Sequence, residues 1–231
     1  MFGKPTSFPF TLSAILYVMA GHMHRKQVGI LLFEDIEVLD FCGPFEVFSA
    51  TRLHEEHRRD ELSPFNVFLI AETKDPVVTS GGMKVLPDYD LGDCPRVDVL
   101  VVPGGWGTRK AMENNRLLQW ITDRSTQVET LTSVCTGALL LGGAGLLDGK
   151  RVTTHWGSLT RMQELFPTAV VEKHLHVVED GALLTSAGIS AGIDMALKVV
   201  SRYYGEAIAR ATARHMEYPF PDNNARRILL P

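Results

Sequence analysis

The sequence places three groups capable of chemistry at the ends of apolar segments. Cys135 stands in Ser133-Val134-Cys135-Thr136-Gly137, between a strand-like run and a helix-like run. On such a turn a side chain projects above the sheet edge, and the N–H groups of the next turn face it. The dipole of the following helix lowers a thiol's pKa and favours the thiolate, the nucleophilic form. The alternative is a small buried hydrophobe, the usual fate of a lone cysteine. Ser133 replaces the first glycine of a G-x-S-x-G elbow, so local sequence specifies the turn only in part. Asp40, in Leu39-Asp40-Phe41-Cys42-Gly43-Pro44, lies just before an expected helix. It is either a helix cap or a carboxyl beside the thiol. Next to a thiolate such a carboxyl keeps its proton, donates to sulfur and later moves that proton. The third strand end is Pro103-Gly104-Gly105-Trp106. Paired glycines allow close backbone approach, and with the Thr136 N–H they can form an anion-stabilising pocket. A plain turn is the alternative, and Trp106 reads as pocket wall or core.

Other candidates are weaker. His155 follows Cys135 by 20 residues at the end of a short strand. It is a partner for a Cys–His dyad or a structural histidine. Gly188-Ile189-Ser190-Ala191-Gly192 matches neither G-x-G-x-x-G nor a phosphate-binding P-loop, and Ser190 as N-cap accounts for it. Cys42 and Cys94 read as structural, with modulation by oxidation as the alternative. His174 and His176 alternate along a strand without a third ligand, and no C-x-x-C pair exists, so no metal is expected. Arg210, Arg214, Arg226 and Arg227 read as a solvated basic tail.

These residues need a scaffold of alternating elements. Strands are expected at 27–33, 65–71, 97–102 and 129–134, each a nearly continuous apolar run suited to a sheet buried on both faces. Short β pieces are expected within 79–91 and at 151–154, 170–178 and 182–185. Helices are expected at 43–51 with Pro44 in the first turn, and at 108–123, 136–147, 190–204 and 206–217. Repeated β-then-α units imply a doubly wound α/β sandwich with a mostly parallel sheet flanked by helices. Function then collects at the carboxyl ends of the strands.

Composition agrees with that class. Hydrophobic residues make up 45% and charged residues 22%, which excludes disordered, collagenous and polytopic membrane chains. A formal net charge of −4 gives no reason for binding to nucleic acid over the whole surface. Three scattered cysteines make no disulfide framework. Residues 1–25 are assigned to an extension outside the core, and residues 26–231 to one domain with a short tail. The apolar stretch within 8–23 is too interrupted for a membrane span. A secretory leader and a start at Met23 are its other readings.

The blocks Leu-Asp-Phe-Cys-Gly-Pro (39–44), Val-Val-Pro-Gly-Gly (101–105), Thr-Ser-Val-Cys-Thr-Gly (132–137) and its continuation to His155-Trp156, and Asp-Gly-Ala-Leu-Leu-Thr-Ser-Ala-Gly-Ile-Ser-Ala-Gly (180–192) resemble the ThiJ/PfpI superfamily. The resemblance runs in order from about residue 27 to 221. It implies a flavodoxin-like, class I glutamine amidotransferase-like sandwich, and it is nearest to isocyanide hydratase and to the sensor domains of AraC-type regulators. The peptidase branch has His after the nucleophile, where this chain has Thr136. The resemblance implies that Cys135 is the nucleophile, that Asp40 is the acid bonded to it and that Thr136 follows it as in isocyanide hydratase. It also places Gly188–Gly192 near the site, and implies a homodimer acting on a small molecule without cofactor. The expected reaction is hydration of an isocyanide to an N-formamide in the cytoplasm, with export as the alternative if residues 1–20 act as a leader. A glyoxalase-type or deglycase enzyme and a non-catalytic ligand sensor are the competing expectations. A regulator adds a helix-turn-helix region that this sequence lacks, so direct DNA binding is not expected.

Overall fold

The computed structural model describes residues 25–230. The expectations for a leader or a start at Met23 lie outside the described residues. Arg25, assigned by sequence to the extension, donates to the Ser63 and Phe65 carbonyls and is tied to the sheet.

The elements alternate as expected. Strand β1 (Lys26–Leu31) leads to helix α1 (Val38–Ala50) and then to β2 (Phe65–Ala71). Short strands β3 (Val77–Val78), β4 (Lys84–Val85) and β5 (Tyr89–Asp90) precede β6 (Val99–Val102). Helices α2 (Thr108–Ala111) and α3 (Asn115–Ser125) follow, then β7 (Thr130–Ser133) and α4 (Gly137–Gly143). The remainder comprises β8 (Arg151–Val152), α5 (Leu159–Leu165), β9 (Val170–Val171), β10 (Val177–Asp180), β11 (Leu183–Ser186), α6 (Ala191–Tyr204) and α7 (Glu206–His215).

The main sheet has seven strands in the order β10-β11-β7-β6-β1-β2-β5. Every neighbouring pair is parallel except β10 with β11. Helices cover both faces, so strand residues alternate between two apolar layers. Val28 and Ile30 of β1 and Val99 and Val101 of β6 pack in one layer, while Leu31, Leu100 and Val102 pack in the other. Each such fully buried aliphatic side chain contributes roughly 1.5–3 kcal/mol. Outward from β1 the chain builds β2 and β5, then returns to build β6, β7 and β11 on the other side. The order therefore reverses between β1 and β6, the place where open α/β sheets bind ligands.

Among the boundaries that differ from the sequence reading, three have a physical cause visible in the fold. Helix α1 starts at Val38, five residues early, so Pro44 lies inside the helix instead of opening it. Pro44 is buried there and the helix continues past its missing N–H. The helix expected at 108–123 is broken, because the Asn114 side chain accepts from the Leu117 N–H and caps a new helix. The β run expected at 170–178 divides: β9 pairs with β8 in a separate two-stranded sheet, and β10 joins the main sheet. Among the described residues no helix is long and apolar enough to cross a membrane.

Candidate active site

The carboxyl ends of β6, β7 and β11, and the start of α1, converge on Cys135. Its backbone has φ 56°, in the left-handed region. That conformation costs a residue with a side chain about 1–3 kcal/mol and persists only where neighbours fix it. Two hydrogen bonds do so. The Cys135 N–H donates to the Ala187 carbonyl at 3.1 Å, and the Thr154 hydroxyl donates to the Cys135 carbonyl at 2.7 Å. The turn leaves the side chain only 6% exposed.

Burial, and after it the Asp40 charge, push the Cys135 thiol well above its ordinary range. The N–H groups of Thr136 and Ile189 and the Thr136 hydroxyl face the sulfur and favour the thiolate. The direction is opposite to the expected lowering by the helix dipole. Helix α4 has only seven residues, and desolvation of a charged sulfur outweighs its field.

Asp40 lies in the first turn of α1 and is fully buried. It does not cap that helix: its Oδ2 accepts from the Gly104 N–H at 2.9 Å. Oδ1 has no partner of standard hydrogen-bond geometry, and the carboxyl's other contact is the Cys135 side chain, a weak donor. Burial raises the Asp40 pKa to about 8, the Glu37 charge adds to this, and the Gly104 N–H opposes it. At neutral pH Asp40 therefore keeps its proton, next to a sulfur.

The glycine pair serves these residues in a way the sequence did not indicate. The Gly104 N–H is taken by Asp40, and the Gly105 N–H donates to Thr136 Oγ1 at 3.0 Å. Neither N–H is open to a developing anion, so the expected anion pocket at Gly104 and Gly105 is replaced by a positioning turn. A Cβ at Gly104 would sit 2.5 Å from the Thr136 nitrogen and 2.9 Å from Asp40 Oδ2, so only glycine passes between them. The Thr108 hydroxyl completes this corner, donating to the Gly105 carbonyl at 2.8 Å. The donors turned toward the sulfur are instead the Thr136 and Ile189 N–H groups, the latter on a backbone with φ 53°. Sequence reasoning missed Ile189 and Thr108. The signal for Ile189 is the family resemblance, which puts the segment 188–192 near the site; in the structure a Cβ at Gly188 would meet His155 Cδ2 at 2.2 Å.

The remaining candidates are placed as follows. His155 is half-buried, and its Nδ1 accepts from the Gly157 N–H at 3.2 Å. No hydrogen bond joins it to Cys135 among the described residues, and burial with the nearby Arg226 charge lowers its pKa, keeping it neutral. Trp106 is not core: it is 69% exposed, with the Arg109 guanidinium 4.5 Å over its ring. Ser190 occupies the N-cap position of α6 but makes no side-chain cap bond. Burial raises the pKa of Cys42, and raises that of Cys94 to about 11, so neither is an activated thiol. Among the described residues no group of three or more His, Cys, Asp or Glu could hold a metal. A cavity of about 440 Å³ lies off the ends of β1 and β2, lined by residues such as Phe33, Glu72 and Lys110, and not by Cys135 or Asp40.

The geometry thus joins a buried thiol, a protonated carboxyl and two N–H donors aimed at sulfur. Such a group can add the thiol to an electrophilic carbon while a proton moves to or from the same centre.

Comparison with known proteins bears on this arrangement. The model of the DJ-1/PfpI family matches residues 26–202. An isonitrile hydratase from Pseudomonas putida is 38% identical over 193 residues, covering 83% of this chain and 78% of that protein. The HTH-type transcriptional regulator CdhR from Pseudomonas aeruginosa is 36% identical over 180 residues, covering 78% of this chain and 51% of the regulator. The chain therefore spans about half the regulator's length. The crystal structure of a ThiJ/PfpI family protein from Pseudomonas syringae superposes with a TM-score of 0.75 at 31% identity, covering 87% of this chain and 78% of that one.

Proposed function

The chain belongs to the DJ-1/PfpI family, and within it we propose that the protein is a cysteine-dependent hydratase that converts an isocyanide and water into an N-formamide. The observation that carries this reading is the buried Asp40 carboxyl, its pKa raised by burial to about 8, in hydrogen-bond contact with the Cys135 side chain. An isocyanide carbon must gain both a nucleophile and a proton, and this pair supplies both. The identity with an isonitrile hydratase over most of the chain supports the same substrate class.

The pair gives up its first proton near pH 8. The proton that remains is shared between oxygen and sulfur, and with it on oxygen Cys135 is a thiolate. The thiolate attacks the terminal carbon of R–N≡C and forms the C–S bond. Asp40 delivers its proton to that carbon, giving the thioimidate R–N=CH–S and a carboxylate. Water then adds to the same carbon, with one proton passing to nitrogen and the other to Asp40 by way of the tetrahedral hydroxyl. Breaking the C–S bond releases R–NH–CHO and the thiolate. Proton count and charge close on the starting pair. The Thr136 and Ile189 N–H groups stabilise sulfur when it carries charge at the start and end of the cycle. No cofactor enters any step. The reading includes a homodimer and a cytoplasmic setting, both carried by the family resemblance.

A ligand-sensing role is a second reading, supported by the regulator relative, with which this chain shares about half of that protein's length. One experiment separates the readings. Purified protein receives an alkyl isocyanide and methylglyoxal in parallel, and products are followed by NMR. Formamide from the wild type and none from Cys135→Ala is expected. Lactate in place of formamide would assign a glyoxalase-type activity. No turnover of either compound, or full turnover by Cys135→Ala, would overturn the hydratase.

A further inference from the structure

The segment at 224–226 lies beyond the family match, which ends at residue 202. Its arginine reads from sequence as solvated. The structure engages it closely with the floor of the candidate site.

Two lines of hydrogen bonds run from this segment to the backbone of Cys135. In the first, the Cys135 N–H donates to the Ala187 carbonyl at 3.1 Å, the Ala187 N–H to the His176 carbonyl at 2.8 Å, and the His176 N–H to the Asn224 carbonyl at 2.9 Å. The Asn224 side chain clasps the next residue as well: Oδ1 accepts from the Val177 N–H at 3.1 Å and Nδ2 donates to the Val177 carbonyl at 2.6 Å. In the second line, the Thr154 hydroxyl donates to the Cys135 carbonyl at 2.7 Å, and Arg226 Nη2 donates to the Thr154 carbonyl at 3.1 Å. The same Nη2 donates to Thr153 Oγ1 at 2.7 Å, and Nε donates to the Lys173 carbonyl at 2.7 Å. The rigid guanidinium fork therefore fixes residues 153, 154 and 173 relative to one another, which a point charge does not do.

We propose that Asn224 and Arg226 are positioning residues for Cys135, holding both backbone groups of its left-handed turn through these two lines. The physical need is plain. A non-glycine residue at φ 56° relaxes unless it is held, and Cys135 is held through its N–H and its C=O. The first line also passes through Ala187, two residues before Ile189, whose N–H faces the sulfur. Loosening either line moves a donor away from sulfur and makes the thiolate harder to form. The inference rests on the reading that Cys135 is the reacting group, but not on the identity of its substrate.

The test reads thiol chemistry directly. Full-length wild type, Asn224→Ala, Arg226→Gln and Arg226→Lys are alkylated with iodoacetamide between about pH 6 and pH 10. Rates at Cys135 and Cys42 are resolved by peptide mass, with urea unfolding run alongside. In Arg226→Gln and Arg226→Lys, and in Asn224→Ala, which keeps the carbonyl but loses the side-chain clasp on Val177 that fixes it, the midpoint of the Cys135 rate–pH curve rises by about one unit, while the Cys42 curve stays in place. Where isocyanide turnover is measured, kcat falls about ten-fold with KM unchanged, because orientation is lost and not binding. Unchanged Cys135 midpoints in the variants, even with lowered urea midpoints, would make the segment a structural brace and overturn the proposal. A shift in Arg226→Gln that is absent from both Arg226→Lys and Asn224→Ala would reduce the effect to charge and overturn it too. A wild type that forms no formamide overturns the hydratase reading and leaves this measurement intact.

Discussion

Replacing Asp40 by asparagine tests whether the buried carboxyl holds its proton. Asp40 is fully buried, and burial raises its pKa from 3.8 to about 8. Because the folded-state value lies above the unfolded one, the favourable contribution is complete below about pH 4 and is lost as pH rises through about 8. Within that window the unfolded chain releases a proton that the folded chain keeps. Wild-type stability therefore falls by about 1.4 kcal/mol for each pH unit on account of this group alone, roughly 6 kcal/mol across the window. The side-chain amide of Asp40→Asn does not titrate, while its carbonyl can still accept from Gly104. Ionisable groups that do not feel the Asp40 charge are common to both proteins, so their contributions cancel in the difference. The assay is urea unfolding of both proteins at about pH 5, 6, 7 and 8, with free energies extrapolated to water. The expected result is a stability difference that moves toward the variant by about 1.4 kcal/mol per unit between about pH 5 and 7, and by less between about 7 and 8, where Asp40 itself titrates. The pH-independent offset of the substitution is irrelevant, since only the slope is read. Parallel free-energy curves over this range would mean that Asp40 is already ionised at pH 5, and would refute the reasoning.

The remaining predictions concern the same corner of the site. Gly104→Ala would place a Cβ 2.5 Å from the Thr136 nitrogen and 2.9 Å from Asp40 Oδ2, between a backbone segment and the buried carboxyl. It should cost about 1–3 kcal/mol in urea unfolding and abolish isocyanide turnover, whereas an unchanged midpoint would show that the turn has room. Thr136→Val removes the oxygen that accepts from the Gly105 N–H, leaving that donor unpaired at a cost of about 1–3 kcal/mol. The same variant takes a hydroxyl from the sulfur, so the Cys135 alkylation midpoint should rise. Wild-type kcat/KM should increase as pH rises toward about 8, where the Asp40–Cys135 pair loses its first proton, and Asp40→Asn should lack that limb.

Much of the scaffold is legible in the sequence because buried parallel strands leave long apolar runs. Residues 97–102 and 129–134 announce β6 and β7, and with them the position of Cys135. Features set by tertiary contact are not legible. Pro44 suggests a helix start, yet tertiary packing carries α1 past it from Val38. Gly104 and Gly105 signal close backbone approach, but only the fold shows that the groups approached are Asp40 and Thr136. Trp106 reads as pocket wall or core, and its 69% exposure excludes the core reading. Arg227, read as solvated, pairs with the buried Asp194, which also accepts from the Tyr218 hydroxyl at 2.6 Å. No spacing rule relates residues more than thirty positions apart. The direction of the thiol's pKa is not legible, because a dipole argument weighs one local field while burial acts from every side.

The most direct test of the central claim is to trap the covalent species. Wild-type protein is mixed with an alkyl isocyanide and quenched within the first turnover, then analysed as intact protein and as peptides by mass spectrometry. The account predicts a gain of one substrate mass, located on the peptide carrying Cys135 and absent from Cys135→Ala. Formamide produced without that adduct, or the adduct on Cys42 or Cys94, would contradict it.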